Sequence, residues 1–418
     1  MIINSNNRQY QSKNSDYSKL LNQILDFNNI SDSQLDIVVG VPFSRESLET
    51  VQSTLLKIQS GLKENYPSKI FLLMVIGEFY SDIEIEKIKL PQDENIKFFG
   101  LSKNENLVGK GWSLRLFVDI AKWFKFGIVF FDADVTNINQ DWIVKLLEPI
   151  FFDKKSCAVI PTVYRRAYDA ETTNNFAFPV LSAFYNQTPR HPLGGLRSFT
   201  RDIVEELAIF TNNISESYWF VENISGYGID IFYTAFLLEN NKKIAEPYLG
   251  FISHSSLPVV DNKYKKAIIQ IIGSLFGFLE INKNHFIFPK RKINEKIKQL
   301  YNPDQETLFY LRAFKDNFVN SSNIIKKIVK PKIFIQLQNC AESSDGHIYL
   351  AVDFWAEILY DFLFHFRQTT KILEKEQILE ALYPIYCLRI GSFFRELPVD
   401  AEFDEIEKIV NLNTQFFI

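Results

Sequence analysis

The chain has little cysteine: Cys157, Cys340 and Cys387 are the only three in 418 residues, scattered and in no metal-ligand spacing. That excludes a disulfide framework and a cysteine-based zinc site, and it suits a reducing compartment. A long apolar run is also missing. The longest strongly apolar stretch, Ile70 to Ile76, falls far short of a membrane span. The start, Met1 to Asp16, is polar and has no signal-peptide core. A soluble, cytoplasmic protein with no membrane partner is expected. Neither sign of charge dominates: 46 Lys and Arg stand against 50 Asp and Glu, a net charge of −4. There is thus no electrostatic case for nucleic acid or an anionic surface. No fixed-period repeat and no low-complexity linker is visible.

What is present reads as an ordinary globular protein, 46% hydrophobic and 23% charged. Its length allows one large or two ordinary domains. The 39 Phe and 18 Tyr stand out, but Asn, Ile and Lys are abundant too, which points to base-composition bias rather than an aromatic binding surface. Residues 1–34 read as a polar extension with one short helical stretch, Tyr17 to Phe27. Asp36 to Pro42, Ile70 to Gly77, Ile96 to Gly100 and Gly127 to Phe131 are apolar strand signals. Ser47 to Asn65 and Leu114 to Phe124 carry helical periodicity between them. Strands alternating with helices at this spacing predict a doubly wound parallel sheet, an α/β fold. The strand ends Pro42, Gly77 and Asp132 then fall along one edge. From about Ile268 the pattern turns helical, through Ala267 to Leu279, Gln305 to Phe318, Leu350 to Phe366 and Lys375 to Phe394.

The most informative stretch is Phe130-Phe131-Asp132-Ala133-Asp134-Val135. Residues i and i+2 of a strand point the same way, so Asp132 and Asp134 can converge on one ligand at the strand's end. Paired hard oxygens there suit Mg²⁺ or Mn²⁺ carrying a diphosphate, although Asp-X-Asp is also a common turn. Pro42-Phe43-Ser44-Arg45-Glu46 follows the first strand and is either a nucleotide-binding loop or a turn whose Ser44 and Glu46 cap the next helix. Gly109-Lys110-Gly111 offers backbone approach and a compact counter-charge for diphosphate, or is a plain exposed turn. Arg165 to Asn175 packs cationic, acidic and hydroxyl groups. In it Arg166 offers a fork for a carboxylate and Asp169 and Thr173 hydroxyl partners, unless the segment is a solvated loop. His191 to Gly195 is a turn whose glycines can present N–H groups. Asp230 falls in the first turn of a helix, and His254 follows the strand-like Tyr248 to Ile252.

In this order the segments resemble the retaining GT-A glycosyltransferases, and within them the glucosylglycerate and mannosylglycerate synthases, over about Asp36 to Glu280. The glucosyl-3-phosphoglycerate synthases are similar too. The resemblance implies a GT-A domain over 35–278 and a mostly helical domain over 279–418. It implies transfer of glucose or mannose, with retention, from a UDP-glucose or GDP-mannose class donor to D-glycerate or a similar small hydroxy acid, as in compatible-solute synthesis. The alternatives are the same chemistry on 3-phosphoglycerate or a glycosylglycerate, and a sugar-nucleotide-binding protein without turnover. Further roles follow from it. Asp132, Asp134 and His254 bind the divalent metal. Pro42, Phe43, Glu46, Gly77, Ala133 and Lys110 surround the donor with Asp132, Asp134, Gly194 and Gly195. Arg166, Asp169, Thr173, Leu193 and Gly194 face the acceptor, and Asp230 and Lys110 serve catalysis. A homodimer is one oligomeric state open to such a chain, which the sequence itself does not fix. One departure matters: the mannosylglycerate enzymes carry Lys where Ser44 stands, which leaves the donor base open.

Overall fold

The computed structural model describes residues 6–28, 35–103, 105–152, 157–185, 187–255, 261–282, 300–344, 348–398 and 401–418. The chain divides into two compact units, residues 1–164 with 189–257, and residues 165–188 with 258–418.

The first unit is built on a seven-stranded sheet. Its strands are β1 (Ile37–Phe43), β2 (Phe71–Gly77), β3 (Ile96–Ser102), β4 (Gly127–Phe130), β5 (Cys157–Val159), β7 (Arg197–Thr200) and β8 (Lys243–Ala245), in the order 3-2-1-4-7-5-8. A separate two-stranded ribbon pairs β6 (Thr162–Tyr164) with β9 (Tyr248–Phe251). β1 and β2 are near-continuous apolar runs and almost wholly buried. That is what parallel strands covered on both faces require. β1 pairs in parallel with β2 on one side and β4 on the other. The strand order reverses there, and such a switch point opens a crevice at the strands' carboxyl ends. β7 joins β4 antiparallel, with Phe130 opposite Arg197. The parallel core β3-β2-β1-β4 of this α/β sheet is as expected from the sequence; the antiparallel β7 beside it was not.

Helix α1 (Asn6–Asn28) is longer than the expected Tyr17 to Phe27 stretch, and its Tyr17, Leu20 and Ile24 are buried. The 1–34 segment is therefore partly core and not simply a polar extension. Helix α2 (Leu48–Asn65) is capped by Ser47, whose hydroxyl accepts from the Thr50 N–H.

The second unit is helical. It contains α9 (Asn262–Asn282), α10 (Gln305–Ile328), α11 (Pro331–Glu342), α12 (Val352–Gln368), α13 (Ile372–Glu396) and α14 (Phe403–Thr414). Its division differs from the cut expected near residue 278. All of α9 and the segment 165–188 belong with the C-terminal helices. Side-chain partners explain this: the Trp355 indole donates to Asn175 O (2.7 Å), and Arg389 Nε donates to Asn175 Oδ1 (3.1 Å). Among the described residues, no helix is long and apolar enough to cross a membrane.

Candidate functional site

At the carboxyl ends of β1 and β4 lies a cleft of about 370 Å³, within the usual range for small-molecule sites. Pro42, Phe43 and Glu46 line one side. Lys110, Asp132, Ala133, Asp134 and His254 line another, together with Glu78, Ser113 and Tyr227.

Lys110 opens α4 (Lys110–Ala121) and sits between two carboxylates. Its Nζ lies 2.9 Å from Asp132 Oδ1 and 2.9 Å from Asp230 Oδ2. Burial disfavours its charge, but Asp132 and Asp230 outweigh that and hold its pKa above the usual lysine value. The cation is therefore permanent. Asp230, in the first turn of α8 (Ile229–Glu239), also faces Arg197. The Arg197 Nη2 is 3.4 Å from Asp230 Oδ1, and its Nη1 donates to Asp230 O at 3.0 Å. Arg197 is wholly buried; burial pulls its pKa down against the pull of Asp230 and Asp132. Its Nε donates to Gly194 O (2.9 Å), so one guanidinium ties the Gly194 turn to the base of α8.

The two aspartates do not share one direction as strand alternation predicts. β4 ends at Phe130, and the chain turns at once, with Val135 N–H donating to Asp132 O. Asp132 thereby faces Lys110, and Asp134 faces His254, whose Nδ1 lies 3.2 Å from Asp134 Oδ2. Backbone pairing delivers this histidine. Val135 and His254 form an antiparallel bridge, and Thr136 N–H donates to Ser253 O while Ser255 N–H donates to Asp134 O, each at 2.9 Å. Asn137 closes the strap, donating to Phe251 O and accepting from Ser253 N–H. Among the described residues no three His, Cys, Asp or Glu side chains gather as a metal-ligating group. Asp134 and His254 gather as a pair open to the cleft, with side chains 26% and 18% exposed.

The glycines act mainly by making room. A Cβ at Gly195 would lie 2.0 Å from Asp132 Oδ2, so the backbone there presses on the carboxylate. Gly109 has φ +123, and a Cβ there would meet Ser225 O at 2.4 Å; at Gly111 one would meet Ile224 O at 2.1 Å. The glycines of the Gly-Lys-Gly turn are thus required by close packing against 224–226, and Gly109 also lines the cleft. Gly77 does not line the cleft but leaves space for the Phe43 ring, whose Cζ would be 2.7 Å from a Cβ there. Glu46 does not cap the helix: its Oε2 accepts from the Ser44 and Arg45 N–H groups at 2.7 and 3.0 Å.

Leu193, Gly194 and Gly195 form the turn entering β7, with Gly194 N–H donating to His191 O. Arg166, Asp169 and Thr173 belong to the second unit. There Asp169 N–H donates to Arg166 O at 3.0 Å, and Thr173 is buried at the start of a π-helical turn, Thr173–Ala177.

Glu78, Lys103 and Arg197, like the lining residues Ser113 and Tyr227, were not read from the sequence. Glu78 Oε2 accepts from Lys103 Nζ (2.7 Å) and from Gly109 N–H (2.6 Å), and Lys103 Nζ also donates to Gly109 O. Lys103 is nearly enclosed, and burial lowers its pKa despite Glu78. Glu78 stands just past β2 as Asp132 stands past β4, and that position was its signal. Arg197 carried none: a charge in a four-residue strand reads as exposed.

No protein-family model matches the chain, and no curated protein does. Solved structures do. One is glucosyl-3-phosphoglycerate synthase from Mycobacterium tuberculosis with Mg²⁺ and UDP, at 18% identity over 59% of this chain and 80% of that one, with a TM-score of 0.42. The same enzyme with Mn²⁺, UDP-glucose and phosphoglyceric acid matches at 16% identity over 58% and 81%, with a TM-score of 0.41. A further mycobacterial protein matches at 16% identity over 64% and 83%, also with a TM-score of 0.41. Likenesses this distant leave the assignment of activity to the geometry of the site itself.

Proposed function

We propose that this chain is a retaining, metal-dependent hexosyltransferase that moves glucose or mannose from a nucleotide diphosphate sugar to a small hydroxy acid such as D-glycerate or 3-phosphoglycerate. The observation that carries the reading is the charge arrangement at the switch point. A permanently charged Lys110 is fixed between Asp132 and Asp230, and a carboxylate–imidazole pair opens into the same cleft.

Asp134 and His254 are a fitting donor pair for Mg²⁺ or Mn²⁺. Such ions commonly take one or two protein ligands and complete their shell with water and substrate phosphate oxygens. Asp132 is already paired with Lys110, which suits it to the donor's ribose or to metal-bound water rather than to direct ligation. When bound, the ion supplies charge neutralisation on the leaving diphosphate. Lys110 adds a second cation at the same end of the cleft. Asp230, held by Arg197 and Lys110, takes in this proposal the sugar-hydroxyl role that the resemblance implies. Its lock on two cations disfavours the role of a base. Retention is the outcome the family resemblance implies, with the acceptor proton passing to the departing phosphate.

Incubating the protein with Mn²⁺, UDP-glucose or GDP-mannose, and glycerate or 3-phosphoglycerate, while following nucleotide release, tests this. Metal-dependent release that requires an acceptor is expected. Full activity in excess EDTA, or a β-linked product from an α-linked donor, overturns the corresponding part of the proposal.

A further inference from the structure

The N-terminal helix grips the loop that carries Lys110 from both sides. Ahead of the loop, in the single 3₁₀ turn Glu105–Leu107, Asn106 Nδ2 donates to Asp16 Oδ2 at 2.8 Å. Behind it, the first turns of α4 meet α1 through a stacked series. The Tyr17 ring lies 5.7 Å from that of Trp112, and the Arg115 guanidinium sits 3.7 Å from the Tyr17 centroid. The Tyr17 hydroxyl donates to Asp119 Oδ2 at 2.5 Å, and Arg115 donates through Nη1 and Nη2 to Asn14 Oδ1 at 3.3 and 3.2 Å. Trp112, Arg115 and Asp119 are buried, as are Tyr17 and Ile24 of α1.

This grip adds to the clamp that Glu78 and Lys103 place on Gly109. α4 begins at a glycine with φ +123 and no side-chain cap, so its leading N–H groups lack the usual partner. They rely instead on long backbone bonds, Gly111 N–H to Gly226 O at 3.1 Å and Trp112 N–H to Ser225 O at 3.3 Å. Anything that fixes the 3₁₀ turn and the face of α4 together also fixes Gly109, Lys110 and Ser113, which line the cleft between them.

We infer that α1 is a splint for Lys110, with Asp16 and Tyr17 as positioning residues that hold the lysine between Asp132 and Asp230. The donor site is complete only while α1 is docked. Only the nucleotide-binding arm of the test rests on the function proposed above; the positioning claim has its own readout.

Amine labelling of Lys110, and amide hydrogen exchange of 105–113, both followed by mass spectrometry, measure position without any ligand. Asp16→Ala should speed both about threefold to tenfold, the loss expected of one ordinary hydrogen bond, with an unchanged thermal midpoint. Tyr17→Phe should act in the same direction. The reciprocal exchange Asp16→Asn with Asn106→Asp rebuilds the bond and should restore the parent rates, which a merely structural defect would not do. Binding of UDP–Mn²⁺ or GDP–Mn²⁺ should weaken by a similar factor in the single variants. Parent rates of labelling and exchange in both Asp16→Ala and Tyr17→Phe would overturn the splint. Absence of nucleotide binding even by the parent would instead overturn the functional reading, while the labelling would still decide the splint.

Discussion

Each unit holds buried arginine–carboxylate chemistry, and the two clusters differ in one respect that separates a site from a brace. In the second unit Arg389 and Glu396 meet in a bidentate pair at 2.6 and 2.7 Å, with both side chains fully buried. Each has further partners. Tyr349 and Asn413 donate to Glu396, while Arg389 donates to Asn175 Oδ1 and Leu350 O. The pair itself is enclosed, although the neighbouring Asn413 Oδ1 is left without a hydrogen bond. In the first unit the chain of Arg197, Asp230, Lys110 and Asp132 is unfinished. Asp230 Oδ1 is buried without a hydrogen bond, Lys110 and Asp132 are each about a fifth exposed, and a cleft opens on them. Charge burial alone does not mark function. Polar capacity left over beside a cavity does.

The largest effect expected from this contrast is on the closed cluster. Arg389→Ala strands Glu396 as an unpaired buried carboxylate, and breaking such pairs costs about 3–5 kcal/mol. Urea or thermal unfolding should register that loss, and the nucleotide affinity of the folded protein should be unchanged. An Arg389→Ala variant as stable as the parent would show that the brace carries no load. Next comes the open cluster. Gly195→Ala would push a methyl to 2.0 Å from Asp132 Oδ2, so the carboxylate must move. A displacement of about 1 Å at a reacting centre can cost on the order of a hundredfold in rate. Steady-state kcat/KM should fall by that order while the fold persists. Smaller again is Asp230→Asn, which keeps the shape but weakens charge-assisted contacts, about a tenfold loss. Proton NMR of the product should show the anomer unchanged. A β-linked product from an α-linked donor in the parent enzyme, together with a loss far beyond tenfold in Asp230→Asn, would make Asp230 a general base and remove the reason for calling its cluster a positioning device.

The same contrast decides what could be read in advance. β1 and β2 are legible because parallel strands buried on both faces leave continuous apolar runs, and the long helices keep their 3.6-residue pattern. Lys110, Asp132 and Asp134 are legible because strand ends in such sheets are where chemistry collects. The pairing of Asp134 with His254 required the resemblance, because it depends on a strap that returns more than a hundred residues later. Arg197 was not legible: its meaning comes from β7 slipping antiparallel beside β4, and nothing local announces it. Nor was the membership of 165–188 in the second unit, which rests on Asn175 meeting Trp355 and Arg389, 180 and 214 residues away. The spacing of Asp132 and Asp134 suggested one shared ligand, but β4 stops two residues too early for strand alternation to govern them.

The smallest effect expected is on the thiols, and it tests whether the second unit is as closed throughout as it is around Arg389. Cys387 lies in the middle of α13, wholly buried, and burial pushes its thiol up to about 12, against smaller opposing pulls from Tyr383 and Lys265. At pH 8 such a group is thiolate in about one molecule in ten thousand, and the thiolate is the reactive form. Cys340 is shifted upward by burial as well, and Cys157 is buried in β5 of the first unit. Native protein should therefore react with a thiol reagent at pH 8 far more slowly than the urea-unfolded chain, which exposes all three. Peptide mapping tells the cysteines apart. Slow labelling of Cys387 that tracks global unfolding would match the closed packing of the helical unit. Fast labelling of Cys387 in folded protein would mean that α13 opens locally, and a brace built on Arg389 in that same helix would then be far weaker than its geometry indicates.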